Sequence, residues 1–243
     1  MQLFDDPVCF LFEIEAIDDI SVFHLCFPKD IIAQIEMHKK YDSILAYSKG
    51  EKMKLLEERI RQDGKILPGD ILKIDNFLNH QIDVKLMDQI GEEFYNLFKD
   101  TKPGKILTIE SSGIAIAAAA SRYFGYIPVV FAKKTVAANM SANTYEAKEH
   151  SYTRNIEYTV QVSRDYLNEG DEVLILDDFL ANGEAMNALI SICHQARAKI
   201  VGCGSVVCKT YQPGEQRIKD LGYKVEVLAR VCHMSDDGQI EFE

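Results

Sequence analysis

Two adjacent aspartates, Asp177 and Asp178, follow a run of four apolar residues from Val173 to Leu176. Such a run is typical of a buried parallel strand, and carboxylates at its end can reach sugar hydroxyls or a metal ion. A short loop then opens a helix: Ala181, Asn182, Gly183, Glu184 and Ala185. Backbone N–H groups at a helix start can hold a phosphate, which the helix dipole also favours. Together these parts predict a site for a phosphorylated sugar.

The same aspartates would also suit a plain strand end, where they would cap the following helix. The small residues after them favour the phosphate site, because small residues let backbone N–H groups come close to a ligand. Glu184 is the exception in this loop, since a carboxylate repels phosphate. We expect its side chain to point away from the ligand or to cap the helix.

The elements that position these residues alternate between strand and helix from Met53 onward. The predicted strands are Ile71 to Ile74, Lys105 to Ile109, Pro128 to Ala132, Val173 to Leu176, Ile200 to Cys208 and, closing the series, Lys224 to Ala229. The predicted helices are Lys54 to Arg61, Val84 to Phe98, Gly113 to Phe124 and Glu184 to Ala196. This order predicts an α/β fold with a parallel, doubly wound sheet, which binds ligands beyond the carboxyl ends of its strands.

Two segments do not share this alternation. Residues 133–163 are long and polar, and we expect a mobile loop that leads into a hairpin with strands at about His150 to Arg154 and Glu157 to Ser163. Long loops of this kind often act as lids. Residues 1–52 have no clean helical or strand period, and their five basic and ten acidic residues give a formal charge of −5.

The junction at Met53 suggests a hypothesis about translation. Lys49-Gly50-Glu51-Lys52-Met53 must be encoded by AAR-GGN-GAR-AAR-ATG, where R is a purine, and this run resembles a bacterial ribosome-binding site before a start codon. We therefore hypothesise that Met53 is the start and that residues 1–52 are a translated leader. A linker rich in Lys and Glu would encode a similar run by chance, and the intact mass of the native protein distinguishes the two.

Composition and charge disfavour several functions. The 243 residues carry a formal net charge of −11, which argues against a nucleic-acid-binding surface and against binding to an anionic membrane. No apolar run reaches membrane-spanning length, and no basic residues precede the N-terminal apolar stretch as they would in a secretory signal. The six cysteines form no CxxC pair, and several lie in apolar runs. Reduced core thiols in a cytoplasmic protein are therefore expected.

The segment from Val173 to Ala185 resembles the motif that binds 5-phosphoribosyl 1-pyrophosphate (PRPP) in type I phosphoribosyltransferases. Ala181-Asn182-Gly183 stands where most members carry a Thr-Gly pair, so backbone groups rather than a hydroxyl are expected to make the contacts of the loop. Other motifs narrow the resemblance to the bacterial branch that acts on xanthine: Phe77-Leu78-Asn79-His80-Gln81, Ile109-Glu110-Ser111-Ser112-Gly113-Ile114, Val130-Phe131-Ala132-Lys133-Lys134 and Lys209-Thr210-Tyr211-Gln212-Pro213-Gly214. The resemblance covers residues 53–243 and leaves residues 1–52 outside.

The resemblance implies a type I phosphoribosyltransferase fold, in which a parallel sheet is flanked by helices and carries a small N-terminal hood. It implies the reaction of xanthine with PRPP to give XMP and pyrophosphate, in purine salvage. Asp177 and Asp178 would hold the ribose hydroxyls and stabilise positive charge on the sugar, while residues 181–185 would bind PRPP. Mg²⁺ would enter as Mg–PRPP, with no metal held directly by the protein. A homodimer is also implied.

The resemblance assigns pyrophosphate binding to two further motifs. Ser111, Ser112 and Gly113 follow a strand and open a helix, where backbone N–H groups can hold pyrophosphate; a plain strand-to-helix turn is the alternative. Lys133 and Lys134 would neutralise pyrophosphate in this subunit or in a neighbouring one; a pair of solvated surface lysines is the alternative. The segment after them would close over the reacting sugar and exclude water.

By the resemblance, Leu72, Asn79 and Lys209 form the base site. The ammonium of Lys209 can donate to a purine oxo group, and Asn79 can both donate and accept. Leu72 would pack on the ring or offer its backbone, and Phe179 also stands close enough to the acidic pair to pack against the base. Taken alone, Lys209, Asn79 and Leu72 would be a surface lysine, a turn residue and a core leucine.

Two rival functions stay open at this point. A PRPP-sensing transcription regulator has the same fold behind a winged helix, but the charge of −5 on residues 1–52 disfavours a DNA-binding arm. The nearer rival is a phosphoribosyltransferase for guanine, hypoxanthine or adenine. Lys209 favours an oxo group over an amine, because an ammonium has no acceptor. It does not separate xanthine from guanine or hypoxanthine, which share the 6-oxo group.

Overall fold

The computed structural model describes residues 8–16, 19–27, 49–134, 143–151, 156–235 and 237–243, with side chains described in 54–134, 143–148, 158–235 and 237–243. The chain divides into two units, Met1–Gly50 and Glu51–Glu243. In the first unit the described residues form an antiparallel hairpin of β1 (Val8–Ala16) and β2 (Asp19–Phe27). The sequence did not reveal this hairpin, because residues 8–12 are apolar at every position and hide the strand period.

Helix α1 (Lys49–Asp63) spans the division between the two units, and the hypothesised start at Met53 lies inside it. A short hairpin of β3 (Lys65–Leu67) and β4 (Ile71–Lys73) follows. One wide turn of π-helix (Asp75–Asn79) then leads to α2 (Val84–Phe98). The side chain of Asp83 caps α2 by accepting from the Leu86 N–H at 3.1 Å.

The main sheet has six strands, β5 (Lys105–Ile109), β6 (Val129–Ala132), β9 (Glu172–Leu180), β10 (Lys199–Lys209), β11 (Val225–Met234) and β12 (Ile240–Phe242). Their order is β12-β11-β10-β9-β5-β6, and all pairs are parallel except that of β11 with β12. The other elements are α3 (Ser112–Tyr123), the hairpin of β7 (Thr144–Ser151) and β8 (Ile156–Ser163), α4 (Glu184–Ala196) and α5 (Gly214–Asp220). The predicted α/β fold with a parallel sheet is confirmed.

Predicted boundaries were wrong in the last part of the sheet and in the hairpin. The series does not close at Ala229, because β11 runs on to Met234 and β12 pairs with it; three residues are too few to show a period. The first hairpin strand is Thr144–Ser151 rather than His150 to Arg154. Its inward residues, Tyr145 and Ala147, alternate with polar ones and so give only a weak apolar signal. Residues 135–142 and 152–155, where the lid was expected, lie outside the described residues.

Strand β9 explains why a parallel strand reads as a continuous apolar run. Leu174 and Leu176 pack into the core on the side of α2 and α3, whereas Val173 and Ile175 pack into the core on the side of α4. Successive side chains of a strand face opposite sides, so a sheet covered on both faces needs apolar residues at every position.

The described helices include none that is long and apolar enough to span a membrane. Cys193, Cys203 and Cys208 are free and buried, as the apolar runs around them predict, and Cys232 is partly exposed. Burial raises the pKa of each of the three buried thiols to about 12. At neutral pH these thiols therefore stay protonated and unreactive.

Candidate active site

The carboxyl ends of β5 and β9 lie side by side in the middle of the sheet. The chain leaves β5 toward β6 at one edge, whereas it leaves β9 toward β10 on the other side. The two loops therefore diverge and leave a crevice, which is where open α/β sheets bind ligands. A cavity of about 430 Å³ lies here. It brings together these predicted residues: Ser112, Lys134, Asp177, Asp178, Ala181, Asn182, Gly183, Glu184, Ala185 and Lys209.

The acidic pair lies on strand β9 itself. Its predicted end at Leu176 was wrong, because β10 continues to pair with β9 as far as Leu180. Asp177 is 3% exposed, and its Oδ1 accepts from the Asp178 N–H at 2.9 Å. The two oxygens of Asp178 accept from the Phe179 N–H at 3.0 Å and from Asn79 Nδ2 at 3.1 Å. Both carboxylates are thus held by strand pairing rather than by a loop.

Burial raises the pKa of Asp177 well above its ordinary value of 3.8, and the neighbouring Asp178 carboxylate raises it further. The positive charge of Lys134 acts in the opposite direction. A carboxyl group in such a place favours its neutral form and is costly to ionise. A ligand that brings positive charge to the cavity offsets that cost.

We expect the Asp177→Asn variant to have a higher free energy of unfolding at neutral pH than the wild type. When folding raises the pKa of an acid, the free energy of unfolding decreases as pH rises from the pKa of the unfolded state to the pKa of the folded state. Asparagine does not ionise, so the variant does not lose this stability. The gain should therefore shrink as pH falls toward about 4. Urea unfolding of both proteins across this pH range measures it. No gain at neutral pH, or an equal gain at every pH, would contradict the raised pKa.

Residues 181–183 form a tight loop before α4. Gly183 has a φ of +84°, in the left-handed region that favours glycine, and it directly precedes the helix. The Gly214 N–H donates to the Ala181 carbonyl at 2.9 Å, so this loop lies against the segment that follows β10. The first N–H groups of a helix have no intrahelical acceptor. At the start of α4 these groups line the cavity and can hold a phosphate.

Glu184 pairs with a cation, Arg217, that no sequence pattern indicated. Its Oε1 lies 2.8 Å from a guanidinium nitrogen of Arg217, which also donates to the Asn182 carbonyl at 2.9 Å. The ion pair offsets the carboxylate charge beside the loop of residues 181–183. No local signal indicated it, because Arg217 lies on α5, far along the chain.

The turn between β3 and β4 reaches the carboxyl end of β10, where Asp70 gathers three side chains. Lys209 Nζ contacts the Asp70 carbonyl and lies 3.4 Å from Oδ2. The Tyr211 hydroxyl donates to Oδ1 at 2.7 Å, and Gln212 Nε2 donates to Oδ2 at 2.8 Å. Burial and the bond to Asp70 raise the pKa of Tyr211. We call these four residues the Asp70 cluster; the turn signal of Gly69-Asp70 was visible in the sequence, but its partners were not.

The predicted base residues differ in position. Lys209 is 7% exposed and lines the cavity. Asn79 approaches it through the hydrogen bond to Asp178. Leu72 packs into the hydrophobic core and is not among the residues that line the cavity. Phe179 lines the cavity.

The turn after β5 contributes one serine to the cavity. Ser112 lines it, but Ser111 and Gly113 do not. The peptide bond between Glu110 and Ser111 is cis. Glu110 Oε1 accepts from the Lys134 N–H at 2.7 Å, which ties this turn to the end of β6.

The two adjacent lysines after β6 face different places. Lys134 lines the cavity of the acidic pair. Lys133 exchanges two backbone hydrogen bonds of 2.9 Å with Gln161 on β8, and its side chain lines a separate cavity at the edge of the sheet. Only Lys134 is therefore placed to meet a ligand beside Asp177.

The family model of the phosphoribosyl transferase domain matches residues 74–239. The chain belongs to this family. A phosphoribosyltransferase is a pentosyltransferase enzyme, and the crevice between β5 and β9 is its candidate active site.

Curated relatives of this phosphoribosyltransferase resemble it over most of their length. The xanthine phosphoribosyltransferase of Laribacter hongkongensis is 52% identical over 190 residues, which cover 78% of this chain and all of the relative. Xanthine phosphoribosyltransferase 2 of Clostridium botulinum is 51% identical, covering 76% of this chain and 97% of the relative.

Solved structures confirm the fold of the phosphoribosyltransferase. The adenine phosphoribosyltransferase of Trypanosoma brucei has a TM-score of 0.63 at 17% identity, covering 75% of this chain and 82% of that one. That of Rhodothermus marinus has a TM-score of 0.60 at 21% identity, covering 73% and 99%. At such identities the likeness shows the type I fold alone.

Phosphoribosyltransferases generally use PRPP as its magnesium complex. No group of three or more His, Cys, Asp or Glu side chains in the described part of the chain is arranged to hold a metal ion. Both oxygens of Asp178 already accept hydrogen bonds. Mg²⁺ commonly keeps several waters and binds through substrate phosphates with one or two carboxylates. The carboxylates of Asp177 and Asp178, which line the cavity, have the oxygen chemistry that Mg²⁺ accepts beside its substrate phosphates.

Proposed function

We propose that this chain is a xanthine phosphoribosyltransferase, which converts xanthine and PRPP into XMP and pyrophosphate in purine salvage. The observation that carries the proposal is about 50% identity to several curated xanthine phosphoribosyltransferases along nearly their entire length. The cavity supports it, since the acidic pair, a helix start and a buried lysine converge there.

In the proposed reaction a purine nitrogen displaces pyrophosphate from the anomeric carbon of the sugar. Asp177 and Asp178 hold the ribose hydroxyls and stabilise the positive charge that develops on the sugar. Residues 181–185 hold the phosphate through backbone N–H groups at the start of α4. No nucleophilic side chain is needed, because positioning and electrostatics supply the catalysis.

The leaving pyrophosphate is held on the opposite side of the crevice. Ser112 and Lys134 line the cavity there, and Ser111 and Gly113 belong to the same turn. Magnesium bound to PRPP offsets the charge of the leaving group. Lys133 faces away from this cavity, so we propose that it serves another surface or a neighbouring subunit.

The hood consists of the β3–β4 hairpin and the π-helical turn Asp75–Asn79, and the base is proposed to bind between it and the end of β10. Lys209 donates to an oxo group, and Asn79 contacts the oxo and N–H edge. Leu72 contributes through its backbone, since its side chain packs in the core. Phe179 packs against the ring.

We further propose that residues 53–243 form the catalytic domain and that the enzyme is a cytoplasmic homodimer. The family model lies wholly within this range. The free thiols agree with a reducing compartment. Sedimentation of the purified protein tests the dimer.

The test of the function is to supply PRPP, Mg²⁺ and one purine base at a time and to follow nucleotide formation. We expect XMP to form with the highest kcat/KM. If guanine or hypoxanthine gave the highest kcat/KM, that base would be the substrate instead of xanthine, and the reaction class would stay the same. No nucleotide from any base, with PRPP binding intact, would overturn the enzymatic proposal.

A further inference from the structure

The side-chain amide oxygen of Gln212 is a buried hydrogen-bond acceptor that has no role in the proposed reaction so far. Within the described part of the chain, Oε1 of Gln212 is buried and has no hydrogen-bond partner. Its side chain lines the same cavity as Lys209. A buried acceptor without a partner costs free energy in the folded state, so a ligand that donates to it gains affinity.

The orientation of the Gln212 amide is fixed by Asp70. An ionised carboxylate only accepts hydrogen bonds, so the amide nitrogen must face Asp70 Oδ2, which it does at 2.8 Å. The amide oxygen is then turned the other way. Asp70 therefore determines that Gln212 presents an acceptor rather than a donor.

Lys209 brings a donor to the cavity, and Gln212, whose amide nitrogen is held by Asp70, brings an acceptor. The Gln212 N–H donates to the Lys209 carbonyl at 3.0 Å, so one turn brings the two residues together. Lys209 Nζ and Gln212 Nε2 also meet at the same oxygen, Asp70 Oδ2. In xanthine every ring oxo group has an N–H beside it, whereas adenine has an amino group beside a bare ring nitrogen. The pair matches the first pattern and opposes the second.

We infer that Gln212 is a specificity-determining residue whose Oε1 accepts from a purine N–H next to the oxo group that Lys209 contacts, and that Asp70 is the positioning residue that fixes this amide. The inference rests on the proposed function and deepens it, because it states how the base is selected. The Asp70 cluster therefore helps to select the base and also links the hood to β10.

The first test pairs a variant with methylated bases. Wild type and Gln212→Ala are assayed for kcat/KM with xanthine, 1-methylxanthine and 3-methylxanthine. We expect Gln212→Ala to lower kcat/KM for xanthine by about 10- to 100-fold. The wild type should discriminate strongly against the isomer that is methylated at the nitrogen facing Gln212. This discrimination should fall by at least about 10-fold in the variant, because alanine neither accepts from the N–H at that position nor crowds a methyl group there.

Gln216→Ala is the matched control, because Gln216 is exposed on α5 and donates to Asp220 outside the cavity. It should change neither the xanthine kcat/KM nor the isomer discrimination, and the KM for PRPP should stay within about twofold in both variants. If Gln212→Ala discriminates between xanthine and both methylxanthines as the wild type does, the inference is wrong. A wild type that forms no XMP would instead overturn the proposed function.

The second test addresses Asp70. In Asp70→Asn the residue can donate or accept, so the Gln212 amide is free to turn and present its N–H groups. We expect the ratio of the adenine inhibition constant to the xanthine KM to fall by at least about 10-fold, and this fall should disappear when Gln212→Ala is added. Equal weakening of both bases would mean that Asp70 supports the fold and does not set selectivity.

Discussion

Replacing Asp178 with asparagine is expected to lower kcat for XMP formation by about 10²- to 10³-fold. The carboxylate lies at the cavity on a paired strand, where it can stabilise positive charge on the sugar as pyrophosphate leaves. Asparagine keeps the shape and the acceptor for the Phe179 N–H but removes the charge. The loss should therefore appear in kcat more than in the KM for PRPP.

Stability separates this effect from damage to the fold. The free energy of unfolding of Asp178→Asn should stay within about 1 kcal/mol of wild type, because the new amide oxygen still accepts from the Phe179 N–H and the Asn79 amide can turn so that its oxygen accepts from the new NH2 group. Asp88→Asn is the matched control. Asp88 lies on α2, away from the cavity, where it is partly exposed and pairs with Arg122 of α3. Loss of the Asp88 charge should leave kcat unchanged. Turnover of Asp178→Asn near that of wild type would refute the role of the carboxylate.

Gly214→Ala is expected to raise the KM for PRPP by at least about 10-fold and to lower the free energy of unfolding by about 1–3 kcal/mol. A Cβ at this position would collide with the carbonyl oxygen of Ala181 and with the backbone nitrogen of Gly183. Both obstacles are backbone, which cannot move aside as a flexible side chain can. The loop of residues 181–183 must therefore shift, and the N–H groups that are proposed to bind the phosphate would lose their alignment.

Gly104→Ala is the control for this substitution. Its added Cβ would meet nothing closer than the Glu172 carbonyl oxygen at 3.8 Å, and its φ lies outside the left-handed region. Its KM for PRPP should match wild type. An unchanged KM in Gly214→Ala would show that the contact between the two loops does not support phosphate binding.

Features set by local sequence were predictable. The apolar residues of Val84–Phe98 recur at helical spacing, and the predicted helix matches the observed one. The run before Asp177 indicated a strand buried on both faces, which β9 is. The acidic pair and the loop before α4 were predicted to lie together, because residues that are adjacent in the sequence are close in space whatever the fold.

Features set by distant partners were not predictable. Strand β9 runs on to Leu180 because β10 pairs with it, which no local pattern states. Arg217 and Asp70 enter the site from far along the chain, and only the folded sheet edge brings them to Glu184 and Lys209. Lys133 and Lys134 have the same residue type and are neighbours, so composition could not tell which one reaches the cavity.

The hydrogen bond from Gly214 to the Ala181 carbonyl has a consequence for how defects in this enzyme are interpreted. It joins the loop that is proposed to hold the sugar phosphate to the segment that contains Lys209 and Gln212. Coupling between two ligand sites is reciprocal in free energy. If bound PRPP changes the affinity for the base by some factor, the bound base changes the affinity for PRPP by the same factor. If this hydrogen bond couples the two proposed sites, a raised KM for one substrate does not by itself locate the altered residue.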